Sequence, residues 1–100
     1  MTGKTFSLKP KAEQDLEAIF EYSYQEFGLK KAEQYIEHID LAFHTLSDFP
    51  SLARSYDHIR SGLKGFPIAS HIIFFRVVEN GITIVRILHQ SMDYRRHIDE

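Results

Sequence analysis

The chain has 100 residues, no cysteine and a formal net charge of −2. This length fits one domain over residues 1–100 with a thin core, and the absence of cysteine excludes a disulfide framework or a cysteine-based zinc site. The net charge argues against a stand-alone nucleic-acid-binding protein, whose binding face is usually basic, so no direct, specific DNA binding is expected.

The charge is divided unevenly between the two halves of the chain. Residues 1–50 hold five Lys and nine Asp or Glu, a net charge of −4, whereas residues 51–100 hold seven Lys or Arg and five acids, a net charge of +2. No secretion signal and no apolar run of membrane-spanning length is visible. We therefore expect a cytoplasmic protein without a membrane partner.

The first half predicts a short strand followed by two helices. Thr5 to Leu8 is the strand candidate, and Pro10 suits the first position of a helix. Gly28 is a suitable C-cap because glycine accepts the left-handed conformation there, and Pro50 ends the second helix. The short connection makes the two helices an antiparallel hairpin. The side chains predicted to face the core are Ala12, Leu16, Ile19, Phe20, Ser23 and Phe27 in the first helix and Ala32, Tyr35, Ile36, Ile39, Ala42, Phe43 and Leu46 in the second.

The second half predicts three strands after a polar loop. The loop runs from Ser51 to Ser61, and the first strand runs from Leu63 to Phe66, where Pro67 ends it. His71 to Val78 and Ile82 to His89 are rich in β-branched and aromatic residues, which favours a β-hairpin. After Asp93, the tail is either a short helix or frayed.

Together these elements predict an α+β fold. It is an antiparallel sheet, made of the short N-terminal strand plus three C-terminal strands, with the N-terminal helical hairpin packed on one face. The two hairpin strands are apolar on both faces, as in a sheet that is covered on both sides. The helices cover one face, and we expect a partner protein to cover the other.

Two arginines interrupt these apolar strands, and the turn between the strands decides whether they act together. If Asn80-Gly81 is a two-residue turn, Arg76 pairs with Val85 and faces away from Arg86. If Glu79-Asn80-Gly81 is a three-residue turn with a bulge, Arg76 pairs with Ile84 and both arginines share a face. The sequence leaves both registers open.

Few residues indicate chemistry. The chain has no phosphate-binding loop, no dinucleotide fingerprint and no hydrolase motif. Its histidines lack the spacing of metal ligands. His58, His71 and His89 can converge in space, but neither a metal nor a cofactor is expected. His89 and Asp93 can pair if the chain turns helical after the last strand. Such a pair serves either as an oriented general base or, as we prefer, as a simple strand-end hydrogen bond.

Several short motifs, in order and with matching spacing, resemble the ParE toxins of the RelE/ParE superfamily over nearly the whole chain. One departure is Ala53-Arg54, where a Gly-Arg pair is common. The matching motifs are Leu8-Lys9-Pro10 with Ala12, Asp15-Leu16 and Ile19; Tyr22, Gly28, Ala32 and Tyr35; Leu46-Ser47-Asp48-Phe49-Pro50; Gly62-Leu63-Lys64; His71-Ile72-Ile73-Phe74-Phe75-Arg76; Gly81-Ile82; Arg86-Ile87-Leu88-His89; and Met92-Asp93.

This resemblance implies the toxin of a type II toxin–antitoxin system, with two helices against a twisted antiparallel sheet. It implies a cognate ParD-like antitoxin with a ribbon-helix-helix N-terminus, joined to the toxin in a hetero-oligomer. The implied target is DNA gyrase, which the toxin inhibits by binding and without chemistry of its own. The target-binding candidates are Arg54, Arg60, Arg76, Arg86, His89 and Asp93.

The alternative is a RelE-type, metal-independent endoribonuclease that cuts mRNA on the ribosome. In that case Arg60, Lys64 and Arg86 hold a phosphate, and His89 or Tyr94 moves a proton. A net charge of +2 in the second half provides few cations for a ribosomal RNA surface, so gyrase inhibition is preferred. A weakly toxic or inactive relative is a third interpretation.

Arg86 has two interpretations of its own, because a charge within an apolar strand needs a partner. It either pairs with an internal acid such as Asp93, or presents a fixed charge to a target. The second interpretation is preferred.

Overall fold

The computed structural model describes residues 5–98. Its helices and strands follow the predicted order, with one additional strand. They are β1 (Thr5–Leu8), α1 (Pro10–Phe27), α2 (Leu29–Asp48), β2 (Arg54–Ser55), β3 (Lys64–Ile68), β4 (His71–Val78), β5 (Gly81–His89) and α3 (Tyr94–His97), with a 3-10 turn (Pro50–Leu52) after α2. No helix among these residues is long and apolar enough to cross a membrane.

The helical hairpin is confirmed. Pro10 opens α1, and Gly28 separates the two helices with a φ of +90° while its N–H donates to the Tyr24 carbonyl. Most of the predicted stripe is buried or half-buried, but Phe27 is 62% exposed, so its assignment to the core was wrong. The cause is an open groove, described below, beside the end of α1.

The sheet is mixed and has the strand order β1-β5-β4-β3-β2. The α+β class and the helical hairpin on one face are confirmed, but β1 pairs with β5 in parallel, from Thr5 opposite Gly81 to Leu8 opposite Ile84. Composition gives no strand direction, and here β1 joins the outer edge of the strand that is last in sequence. The predicted loop at 51–61 also contains β2, the additional strand.

Pro67 does not end β3, which continues to Ile68. Strand β2 pairs only with Lys64 and Gly65, so Pro67 lies on the part of β3 without a neighbour on that side among the described residues. A proline is tolerated there because its missing N–H removes no ladder hydrogen bond.

The β4–β5 hairpin has neither of the two predicted registers. Val78 lies opposite Gly81, so the turn is Glu79-Asn80, one residue earlier than expected. A bulge follows, because Phe75 lies opposite Ile84 and Phe74 opposite Arg86, which leaves Val85 as the extra residue. Arg76 therefore pairs with Thr83. Gly81 is the first residue of β5 and serves the close approach of β1 rather than the turn.

The second face of the sheet is covered by the chain itself, so the expectation that a partner must cover it was wrong. Ile59 and Leu63 from the loop before β3, and Ile98 after α3, pack against this face. The strand side chains beneath them are all buried, namely Ile72, Phe74, Val85 and Leu88. The tail forms α3, as one of its two interpretations predicted, and Ile98 completes the cover.

Candidate functional site

A groove with a volume of about 750 Å³ lies between α1 and the ends of β4 and β5. Apolar side chains form much of its wall, and three of them are strongly or partly exposed: Tyr22 (63%), Phe27 (62%) and Met92 (36%). Burying such side chains against a partner is favourable, at roughly 25 cal/mol per Å² of apolar surface. The groove is therefore a candidate surface for binding a partner.

The floor of the groove is an open strand edge. Strand β1 pairs with β5 only as far as Ile84, so the last part of β5 has no neighbouring strand on that side within residues 5–98. The carboxylate of Asp15 instead accepts the N–H of Ile87 at 2.9 Å. An acid from α1 thus replaces a neighbouring strand and leaves room beside β5.

Arg86 is held within the chain by this same acid. Its Nε donates to Asp15 Oδ2 at 2.8 Å, its Nη2 donates to Asp15 Oδ1 at 2.9 Å, and its Nη1 donates to the His97 carbonyl at 2.7 Å. The side chains of Arg86 and Asp15 are only 15% and 14% exposed. The sequence analysis suggested Asp93 as the acid that pairs with Arg86, and this was wrong. The contacts with Asp15 support the interpretation that Arg86 pairs with an acid of its own chain.

Two histidines stand at the sheet end of the groove. His71 Nδ1 lies 2.8 Å from the Tyr35 hydroxyl, and the rings of His71 and His89 meet nearly at right angles with centroids 5.4 Å apart. Burial, followed by the nearby His89, lowers the pKa of His71. Burial likewise raises the pKa of the Tyr35 hydroxyl. Near neutral pH both groups are therefore uncharged.

His89 does not pair with Asp93. Its Nδ1 lies 2.8 Å from the Ser91 hydroxyl, and Asp93 is an exposed residue just before α3. The general-base arrangement considered from the sequence is therefore absent from residues 5–98. Within the same range, no three His, Cys, Asp or Glu side chains cluster as metal ligands.

The nuclease candidates do not line one cavity. Only Arg86 and His89 border the groove, whereas Arg60, Lys64 and Tyr94 lie elsewhere. Tyr94 packs on Phe74 at the second face, and its hydroxyl donates to the Gln90 carbonyl. Its pKa is raised by burial and by the neighbouring Tyr56.

The target-binding candidates fall into separate regions. Arg54 and Arg60 are exposed, on β2 and on the loop before β3. Arg76 is half-buried and donates to the Ser61 carbonyl, beside that loop. Arg86 and His89 lie at the groove. The arginines of the two hairpin strands thus bind different partners and do not act as one pair.

Sequence reasoning missed Asp15, Lys31 and Tyr35 as groove residues, whereas the convergence of His71 with His89 had been considered. A signal was present for Asp15, because it lies between the core positions Ala12 and Ile19 on α1, where an acid is partly buried and needs a partner. Lys31 and Tyr35 join the groove only through the tertiary fold, so the sequence contained no local signal for them.

Comparisons with known proteins all find ParE toxins. The family described as "ParE toxin of type II toxin-antitoxin system, parDE" matches residues 6–94. Toxin ParE1 of Mycobacterium tuberculosis is 36% identical over 94 residues, covering 93% of this chain and 96% of that protein. Toxin ParE1 of Caulobacter vibrioides is 30% identical over 95 residues, covering 95% and 98%.

A solved structure shares the fold. A chain of the structure titled "Chromosomal ParDE TA system from P. aeruginosa" superposes with a TM-score of 0.74 at 22% identity, covering 86% of this chain and 95% of that one. The arrangement of helices and strands described above is therefore one that a known protein adopts.

Proposed function

The chain belongs to the ParE toxin family of type II toxin–antitoxin systems, and from that premise we propose that it is a cytoplasmic inhibitor of DNA gyrase that a ParD-like antitoxin neutralises. The observation that carries this proposal is the family match over residues 6–94, nearly the whole chain. The fold agrees with it, since a helical hairpin packs on one five-stranded sheet, as in the solved ParDE chain.

The groove supports the antitoxin part of the proposal. The core closes without help from a partner, yet Tyr22, Phe27 and Met92 remain exposed around one concave surface. Large exposed apolar side chains around a cavity are typical of a protein-binding site. The related solved structure is titled as a ParDE system, which names the kind of partner.

The hydrogen bonds of the residues predicted for a nuclease site favour inhibition by binding over RNA cleavage. Arg86 is bound to Asp15 through two charge-assisted hydrogen bonds, so its charge is already neutralised. Arg60 donates to the carbonyl of Ile59, and Tyr94 donates to that of Gln90. Among the described residues, no cavity gathers the five nuclease candidates, because only Arg86 and His89 line the groove.

The test compares the two targets directly. Purified chain is added to gyrase with relaxed plasmid, and separately to translating ribosomes with a defined mRNA. We expect loss of supercoiling or accumulation of cleaved DNA, with the mRNA intact. Cuts at codon positions during translation, with gyrase unaffected, would assign the chain to the nuclease class instead.

The antitoxin is tested by co-expression with the small protein of the adjacent reading frame, chosen if it begins with a ribbon-helix-helix pattern. We expect the two proteins to co-purify and the melting temperature of this chain to rise. A partner at a thousand times its dissociation constant adds roughly 4 kcal/mol to the free energy of unfolding. A chain that neither co-purifies nor changes its melting temperature contradicts the proposal.

A further inference from the structure

The charges at the groove are not balanced. Asp15 is the one acid that lines it among the described residues, and Arg86 neutralises that acid through two hydrogen bonds. What remains is Lys31 from α2 and the imidazoles of His71 and His89. The electrostatic preference of the open groove is therefore for an anionic group, although the surrounding helical half of the chain is acidic.

We propose that the groove receives a segment of the antitoxin that inserts an apolar side chain against Tyr22, Phe27 and Met92 and sets a carboxylate on the His71–His89 pair, so that binding takes up a proton. This inference rests on the proposed function, because the antitoxin is the assumed occupant. It goes beyond that function by naming the docking surface, the chemistry of the segment and the dependence on pH.

The geometry gives the imidazoles a specific role. Their ring centroids are 5.4 Å apart, so two positive charges there would repel each other, and one proton is the expected uptake. His71 Nδ1 is engaged with the Tyr35 hydroxyl, and His89 Nδ1 is engaged with the Ser91 hydroxyl. A carboxylate added to this group favours the charged imidazole, whereas the empty groove favours the neutral one.

The charged and titratable groups around His71 and His89 determine whether binding tightens or weakens as the pH falls. Tyr35 and Lys31 approach from α2, Arg86 lies on β5, and Asp15 lies on α1. Burial raises the pKa of the Tyr35 hydroxyl, which keeps it neutral near neutral pH, and Asp15 forms an ion pair with Arg86. A carboxylate from the partner therefore acts on the two imidazoles, whose protonated form it favours.

The experiment measures the dissociation constant of the complex from pH 8 to pH 5.5, with the intact chain and the full-length protein of the adjacent reading frame. Uptake of one proton tightens binding as the pH falls, by at most about tenfold per pH unit. Calorimetry in two buffers of different ionisation enthalpy gives the number of protons directly. Binding that weakens on acidification, or releases protons, overturns the inference.

Matched variants locate the effect. We expect His89→Gln, at an exposed residue, to reduce the pH dependence, and His71→Gln to reduce it further. His38→Gln, at an exposed histidine of α2 outside the groove, should leave it unchanged. Lys31→Gln should weaken binding but leave its pH dependence in place, because the proposal assigns proton uptake to the imidazoles.

The outcomes separate this inference from the function on which it rests. Tight binding of the antitoxin that is independent of pH, or unaffected by His71→Gln and His89→Gln, removes the groove proposal and leaves the toxin–antitoxin assignment intact. Absence of any complex with the antitoxin overturns both. Tight binding with the expected pH dependence in the unaltered chain and a flat profile in the double variant supports both.

Discussion

Asp15 and Arg86 connect the first helix to the last strand through two charge-assisted hydrogen bonds of 2.8 and 2.9 Å. The same carboxylate accepts the N–H of Ile87, and the same guanidinium donates to the carbonyl of His97. One ion pair thus fixes α1, β5 and the C-terminal segment relative to one another. It also forms the inner wall of the groove.

The first prediction is that Arg86→Ala lowers the free energy of unfolding by about 3 kcal/mol, because removing one partner leaves the largely buried Asp15 carboxylate uncompensated. Chemical denaturation measures the loss. Arg95→Ala, at an exposed arginine of α3, is the matched control and should change stability by less than about 0.5 kcal/mol.

A double-mutant cycle with Asp15→Ala shows whether the two residues act as a pair. The double variant should lose clearly less stability than the two single losses added together. If Arg86→Ala keeps its stability and abolishes growth arrest, the guanidinium acts on the target, as the preferred sequence interpretation had it.

Local sequence patterns predicted most of the secondary-structure elements. The features that were not predicted depend on contacts between residues distant in sequence. The helix spacing, Gly28 and the apolar strands predicted nearly every element with close boundaries. The parallel pairing of β1 depends on Thr5 meeting Gly81, which are 76 residues apart, and no local pattern encodes it. The candidate site was less predictable, because Asp15 reaches Arg86 only after α1 has packed across β5.

The hairpin turn illustrates the same limit. Asn80-Gly81 is a strong turn signal, yet the turn lies at Glu79-Asn80 and the glycine serves another contact. A Cβ on Gly81 would lie 1.7 Å from the Thr5 carbonyl oxygen. The glycine is thus explained by the approach of β1, a reason that is invisible until the sheet is assembled.

The second prediction follows from this contact. Gly81→Ala should lower the free energy of unfolding by about 3 kcal/mol or more, because it adds a clash with the backbone of Thr5 to the strain of a φ of +146°. Thermal and chemical denaturation measure the effect, and hydrogen exchange shows whether β1 is the part released.

Gly28→Ala is the control that separates strain from clash. Gly28 has a φ of +90°, but a Cβ there would meet nothing within 4 Å. Strain alone should then cost about 1–3 kcal/mol. Equal losses for the two variants would mean that the approach of Thr5 contributes nothing.

The third prediction concerns pH and the stability of the free chain. Burial and His89 lower the pKa of His71 from its ordinary value of 6.5, so just below pH 6.5 the unfolded state binds a proton that the folded state does not. The contribution of His71 to the free energy of unfolding is therefore fully present above pH 6.5. It decreases as the pH falls from 6.5 towards the lowered pKa of the folded state. Denaturation of the unaltered chain between pH 5 and 8 should show this fall.

His71→Gln should flatten that part of the pH profile, since an amide does not titrate and still offers Tyr35 a hydrogen-bonding partner. His38→Gln, at an exposed histidine, should leave the profile as it is. If the profile of His71→Gln superposes on that of the unaltered chain, His71 does not contribute to the acid sensitivity.

The fourth prediction concerns the target surface. Arg54 and Arg60 are exposed, so replacing both with alanine should change the free energy of unfolding by less than about 1 kcal/mol. If these charges contact gyrase, the double variant inhibits supercoiling at least tenfold less while binding the antitoxin normally. Unchanged inhibition removes both residues from the target surface.

The last prediction concerns the cover of the second face. Ile98 is fully buried against the cluster that contains Leu63, Phe74 and Leu88, although it lies close to the C-terminus of the chain. Ile98→Ala should lower the free energy of unfolding by about 2–5 kcal/mol, because it removes three methyl or methylene groups and leaves a cavity. Ile98→Val should cost only about 0.5–1.5 kcal/mol.

The graded pair Ile98→Val and Ile98→Ala also distinguishes cover by the chain from cover by a partner. If the C-terminal segment itself closes this face, both losses appear in the isolated chain and persist at the same size in the complex with the antitoxin. If the antitoxin covers the face instead, the variants are nearly neutral in the free chain and weaken the complex. The 0% exposure of Ile98 and the bond from Arg86 to the adjacent His97 carbonyl favour the first result.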